Sequence, residues 1–263
     1  MQSDGVLLSK PKMNALGKAI LSFWQSSIGK KLIVAVTGII LVGFLIAHMT
    51  GNFLVYAGRE AMNDYAYFLH HFLHGAGIWL FRLVLLGAFI LHIVATIELT
   101  RQNRIARPKR YEHDDTVQAS KSSRIMIVSG LTVLGFVIFH IFHFTIPVSA
   151  ELRDLPDPTD PDRKDVYLMV IKGFQNPLVV LFYIVGVSLL CSHLSHGIAS
   201  IFQTLGLRSE KTREAIRKLG WAVAIILWLG FLSIPVLVGT GAIEDSGPSE
   251  GSHASVQTEG AES

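Results

Sequence analysis

Thr37-Gly38-Ile39-Ile40-Leu41-Val42-Gly43-Phe44-Leu45-Ile46-Ala47-His48 returns later in the chain as Ser129-Gly130-Leu131-Thr132-Val133-Leu134-Gly135-Phe136-Val137-Ile138-Phe139-His140. Both runs are almost wholly apolar, and each closes on a histidine. A titratable ring is expensive in such a setting, so it reads by default as a functional group with a partner.

Each run belongs to a longer apolar stretch. Such stretches recur near 32–56, 79–100, 125–147, 177–201 and 220–240, each close to the ~20 residues a bilayer requires. Half of the 263 residues are hydrophobic and 16% are charged, with a mean hydropathy of +0.45. A single soluble domain would have to bury five such helices, and this composition does not favour that. The expected fold class is therefore all-α and integral membrane, with five transmembrane helices of which the first four form a cofactor-holding bundle.

Three segments are expected along the chain. Residues 1–31 form a cytoplasmic leader, 32–240 the membrane domain, and 241–263 a Gly/Ser/Glu-rich disordered tail without a basic residue. The polar start predicts no cleaved signal peptide. Within the leader, Leu16–Gly29 carries Ile20, Leu21, Phe23, Trp24 and Ile28 among polar residues, the pattern of an amphipathic interfacial helix. Met62–His74 has a similar character on the opposite face.

Several chemistries lack support. Cys191 is the only cysteine, so the chain has no internal disulfide, no C-x-x-C-H and no thiolate set for an iron–sulfur cluster. No G-x-G-x-x-G or Walker A run is present for a flavin or nucleotide. Electrons reaching this chain must therefore come from a partner.

Charge placement orients the spans. Lys10, Lys12, Lys18, Lys30 and Lys31 precede the first; Arg101, Arg104, Arg107, Lys109, Arg110, Lys121 and Arg124 lie between the second and third. Arg208, Lys211, Arg213, Arg217 and Lys218 lie between the fourth and fifth. The positive-inside rule puts these alternate segments in the cytoplasm, so the N-terminus is inside and the C-terminus outside. The clusters serve topology or dock an acidic cytoplasmic partner, and nothing in them calls for nucleic acid. The other loops are acidic, with Asp154, Asp157, Asp160, Asp162 and Asp165 in the longer one.

Four histidines lie well inside the spans. On helices running outward, His48 and His140 fall about 7–8 residues short of the outer end. On helices running inward, His92 and His193 fall about 8 short of the inner end, so each is buried by ~12 Å. That makes an outer pair and an inner pair, with levels roughly 13 Å apart. One ligand from each of four helices would hold two stacked bis-histidine haems b. Such haems carry electrons and leave no iron position open. The plainer alternative gives each histidine a neighbouring helix or a proton path as its partner.

Gly38 and Gly130 lie ten residues inward of His48 and His140, ~15 Å, at the inner haem's level. There a missing side chain admits a macrocycle, or only a close helix. Arg82, ten residues outward of His92, is placed to meet a propionate or a quinone headgroup, or else to snorkel. His143 and His196, three residues beyond His140 and His193, are expected to bond propionates or water, with ligand exchange as the alternative. His70, His71 and His74 cluster beyond the first span. With Glu60 and Asp64 they could line a quinone pocket or proton exit, or could simply be surface residues.

This pattern resembles the diheme cytochrome b membrane anchors of succinate dehydrogenases and fumarate reductases over about residues 25–240. The pieces that carry the resemblance are the Thr-Gly run to His48, the Ser-Gly run to His140, and His193-Leu-Ser-His196-Gly197 continuing to Gln203-Thr204-Leu205-Gly206; Leu91-His92-Ile93-Val94 is a weaker one. The resemblance implies that His48 and His140 hold the distal haem and that His92 and His193 hold the proximal one. It also implies a flavoprotein subunit and an iron–sulfur subunit at the cytoplasmic face of a bacterial membrane. Succinate oxidation takes place in the flavoprotein, and the membrane acceptor is a quinone, usually menaquinone. Some relatives use a carboxylate after the first span for quinol protons, which makes Glu60 and Asp64 candidates. Where some relatives have a lysine near the proximal propionates this chain has Thr204, leaving Gln203, Arg208, Lys30 or Lys31 for that role.

Two other classes compete. The cytochrome b subunits of nitrate reductases and formate dehydrogenases generally concentrate their ligands on fewer helices. A haem-free transporter or sensor would show broken helices and polar pathways, whereas these spans are continuous. The succinate-type anchor is the leading expectation, in a complex whose oligomeric state is left open.

Overall fold

Asn14 starts the first helix: its side-chain carbonyl accepts from the Gly17 amide at 2.8 Å and satisfies one orphan donor of the first turn. The computed structural model describes residues 14–106, 117–245 and 247. The beginning of the expected leader, the basic residues Arg107, Lys109 and Arg110, and most of the expected tail lie outside the described residues.

Helix α1 (Ala15–Gln25) breaks at Ser26, whose hydroxyl accepts from Gly29 N at 2.9 Å and opens α2 (Ser27–Asn52). Lys30 fixes this corner. It is 2% exposed, and its ammonium donates to the carbonyls of Trp24 (2.6 Å) and Gln25 (3.3 Å), where the C-terminal end of α1 favours a cation. Ile20, Leu21 and Phe23 stay exposed, as an interfacial helix requires.

A short 3₁₀ turn (Phe53–Ala57) leads into α3 (Arg59–His71), followed by α4 (Ala76–Ile105) and α5 (Val117–His140). The helix expected over Met62–His74 thus begins and ends three residues earlier. Leu73, His74 and Gly75 all take the left-handed conformation, with φ of 52°, 54° and 85°, and this turns the chain into α4. After α5, one π-helical turn spans Ile141–Thr145. The short helices α6 (Ala150–Arg153) and α7 (Val166–Gly173) precede α8 (Pro177–Thr204) and α9 (Arg213–Gly239). Asn176 caps α8 by accepting from Leu178 N at 2.9 Å, and Pro177 occupies the first turn, where its missing N–H costs nothing.

The chain is an all-α membrane protein: among the described residues, five helices are long and apolar enough to cross a bilayer, over Ser27–Ala57, Ala76–Ile105, Met126–Thr145, Pro177–Thr204 and Arg213–Gly239. They are apolar on nearly every side. Leu83, Val128 and Leu178 are more than 60% exposed, which suits a lipid solvent rather than a second protein layer. α2 packs against α4 and α8, α5 packs against α8, and α9 braces α8 and α2, while α4 and α5 touch only lightly. Small residues bring the helices together. A Cβ on Gly220 would sit 2.7 Å from the Ser195 carbonyl oxygen, and one on Gly186 would enter the Phe136 ring.

On the side of the molecule away from α1, here the far side, a polar cap ties α3 to α7 and the loop before it. Asn63, fully buried, donates to Asp157 (2.7 Å) and Asp165 (3.1 Å) and accepts from Tyr167 N at 3.0 Å. Arg163 grips Asp157, Glu60 and Asp64, and Arg59 pairs with Asp165 and Asp245. The Tyr167 hydroxyl donates to the Glu244 carbonyl at 3.1 Å, so the first residues after α9 are joined to this cap.

Candidate functional site

The far-side histidines meet. His48 of α2 and His140 at the end of α5 face each other with 5.8 Å between ring centroids and 84° between ring planes. Phe44, one turn before His48, stacks on it at 5.2 Å, and Phe231 of α9 closes in at 6.0 Å. On the other flank, Tyr183 of α8 brings its hydroxyl within 3.2 Å of His140 Nδ1 and 3.0 Å of His143 Nδ1. One phenol has one proton, so a Tyr183 engaged with both rings donates to one and accepts from the other. The π turn begins immediately after His140 and carries His143, the kind of local unwinding often found at functional sites.

The leader-side histidines sit in matching settings. His92 Nδ1 lies 3.0 Å from Thr37 Oγ1, and His193 Nδ1 lies 3.0 Å from Ser129 Oγ. Each hydroxyl is already committed as a donor. Thr37 donates to the carbonyls of Ile33 (2.7 Å) and Val34 (3.2 Å), and Ser129 donates to that of Met126 (3.2 Å). A hydroxyl whose proton is used this way accepts from the ring, an arrangement that puts the ring N–H at Nδ1 and leaves the lone pair on Nε2. The adjacent glycines border the rings. A Cβ on Gly38 would lie 3.7 Å from His92 Cε1, and one on Gly130 would lie 3.5 Å from His193 Cε1.

The repeat therefore has two working ends. Its histidine end supplies the far-side pair, and its hydroxyl–glycine end receives a histidine from another helix. Gly38 and Gly130 lie at the level of His92 and His193, as the sequence spacing requires. Thr37 and Ser129 carried no role in the sequence reading, although a hydroxyl at the same register of both runs was a visible sign. Tyr183 left none.

The other sequence candidates are scattered. His196 is exposed, 6.3 Å from the Trp221 ring. Arg82 lies over Trp79, 5.1 Å from the ring, a snorkelling geometry. Glu60 and Asp64 share Arg163, whereas His71 turns back to bond the Tyr67 carbonyl at 2.9 Å and stacks on its ring. His70 does the same with the Ala66 carbonyl at 2.8 Å. Gln203 accepts from Arg208 at 2.8 Å beyond α8, Lys31 is exposed, and Lys30 is occupied at the α1 corner. Glu60, Asp64, His71 and Arg82, all quinone-site candidates, thus do not form one cluster with one another.

Outside the spans, burial alone would push the Asp157 carboxyl up. Hydrogen bonds from Thr159 and Asn63, together with the Arg163 guanidinium, outweigh it and hold the group down to about 2.

Imidazole nitrogens are the donor set here: such residues could hold a metal-centred group, which would draw one ligand from each of several helices. At the far side the two rings come from separate helices and stand edge-on, 5.8 Å apart. At each leader-side ring it is Nδ1 that a hydroxyl engages. Fold and geometry together define an all-α membrane protein with histidines at two levels of its helices. No protein-family model, curated protein or solved structure matches the chain.

Proposed function

We propose that this chain is the membrane-anchor cytochrome b subunit of a succinate dehydrogenase of the succinate:quinone oxidoreductase type. It passes electrons between a cytoplasmic flavoprotein/iron–sulfur pair and membrane quinone, with menaquinone the expected acceptor. The observation that carries this reading is the apposition of His48 and His140 on separate helices, with His92 and His193 held alike at the second level.

His48 and His140 would hold the outer haem b, and His92 and His193 the inner one. When bound, the two groups supply one-electron carriers without an open coordination position. The chain's own residues do the rest. Thr37 and Ser129 keep Nε2 of the inner histidines free. Tyr183 restrains His140, and Phe44 and Phe231 pack against His48. The apolar helix faces hold all four rings in a low-dielectric setting, where each nitrogen needs a partner.

The basic residues flanking the spans support a bacterial cytoplasmic membrane orientation with α1 inside, so α1 lies on the side where the soluble partners dock. At the outer face Glu60 and Asp64 are half or more exposed and held together by Arg163, which makes them the best-placed carboxylates for quinol protons. The test is purification of the full chain from its native membranes followed by mass spectrometry. A flavoprotein and an iron–sulfur subunit are expected to come with it. A molybdenum-enzyme partner, or no redox partner at all, would overturn the assignment.

A further inference from the structure

We infer that Thr37 and Ser129 are positioning residues for the inner haem, each fixing the tautomer and ring orientation of one of its ligands and tuning its potential. This rests on the haem reading above. The structural case is the doubled arrangement: two hydroxyls at equivalent places in a repeat, each 3.0 Å from Nδ1 of a histidine on a different helix.

Each hydroxyl has a main-chain carbonyl to take its proton. Thr37 is 5% exposed, and its proton goes to main-chain carbonyls one turn back, as does that of Ser129. Both present a lone pair to the ring, which selects the Nδ1–H tautomer and aims Nε2 away from the supporting helix. The glycine that follows each hydroxyl borders the ring: a Cβ on Gly38 would lie 3.7 Å from His92 Cε1 and one on Gly130 3.5 Å from His193 Cε1, both ordinary contact distances. The pair acts across helix boundaries, with α2 setting the ligand on α4 and α5 setting the ligand on α8.

The outer site is built otherwise. His140 has a tyrosine that is shared with His143, and His48 is held by aromatic packing. Outer-sphere partners of this kind raise ligand basicity, and their loss commonly costs 10–100-fold in metal affinity. A more basic imidazole favours the oxidised metal. Removing the hydroxyls should therefore raise the inner haem's potential and weaken its retention while leaving the outer haem alone.

The experiment is a redox titration of the full chain in membranes, followed by optical and low-temperature EPR spectra. The component missing from His92→Ala is assigned as inner. Thr37→Val and Ser129→Ala keep side-chain size close to the original, and Thr37→Ser and Ser129→Thr restore the hydroxyl. Expected is an upward shift of the inner component with a changed low-spin EPR signature in the first two, or its selective loss, and a return towards wild type in the second two. An inner component unmoved in both hydroxyl-less variants overturns the inference, as does an equal shift of both components. If wild type holds no haem, the haem reading fails first, and that outcome is visible before any variant is compared.

Discussion

His48 and His140 stand edge-on across the boundary between α2 and α5, 5.8 Å apart, although 92 residues separate them in the chain. Neither has an acidic neighbour in the spans to justify a buried imidazole by charge. Their surroundings are Phe44, Phe136, Phe144, Phe231 and Tyr183. The proposed shared ligand would account for two imidazoles in so apolar a place.

The first prediction follows directly. His48→Ala or His140→Ala should lower haem from two per chain to one in a pyridine haemochrome assay, leaving the inner component's potential in place. His143→Ala should keep both haems. If His143→Ala loses one and His140→Ala does not, the ligand on this helix is misassigned.

The glycines give a graded series. A Cβ at Gly130 would sit at ordinary contact distance, 3.5 Å from His193 Cε1, so Gly130→Ala should retain the inner haem. Gly130→Leu would drive into the ring and should remove it selectively. Gly186→Ala has no such latitude, because its Cβ would enter the Phe136 ring beside His140. Overpacking of that kind costs about 1–3 kcal/mol, read as a lower melting temperature together with a disturbed outer haem.

The far-side cap should be sensitive to acid. Asp157 titrates at about 2 in the folded protein against an unperturbed value of ~3.9. Its contribution is therefore complete above pH ~4 and is lost as pH falls towards ~2, because the unfolded state then binds the proton first. Hydrogen exchange of α3 and α7 should accelerate over that window before exchange in the spans does. Arg163→Met leaves buried Asp157 without its cation and should destabilise the cap by about 3 kcal/mol or more at neutral pH. Asp157→Asn should abolish the acid dependence; its persistence in that variant would assign the dependence elsewhere.

Lys30 offers a separate test. Lys30→Met removes the ammonium that binds the Trp24 and Gln25 carbonyls and should loosen α1. Limited proteolysis should then cut between α1 and α2 several-fold faster with haem content unchanged. Equal cleavage rates would mean that the ammonium does not hold this corner.

How much of this was legible in the sequence depends on the range of the interaction. A span reads locally, because some twenty apolar residues in succession need no partner to be recognised, and all five spans emerged, the largest shift being the fifth, which starts at Arg213 rather than near 220. The levels of Gly38 and Gly130 read from helical rise alone. Thr37 bonding His92 did not, since the partner lies 55 positions away and a hydroxyl in a helix ordinarily bonds its own backbone. That Glu60 and Asp64 share a cation was hidden for the same reason. Their cation, Arg163, is about a hundred residues distant, and long-range ion pairs leave no period in a sequence.

The central claim is that these four histidines hold two haems. A dithionite-reduced minus oxidised spectrum of the purified full chain, quantified as pyridine haemochrome against protein, tests it most directly. Two low-spin haems b per chain are predicted, falling to one when either histidine of a pair is replaced. A chain that carries no haem after expression with adequate haem supply would contradict the account.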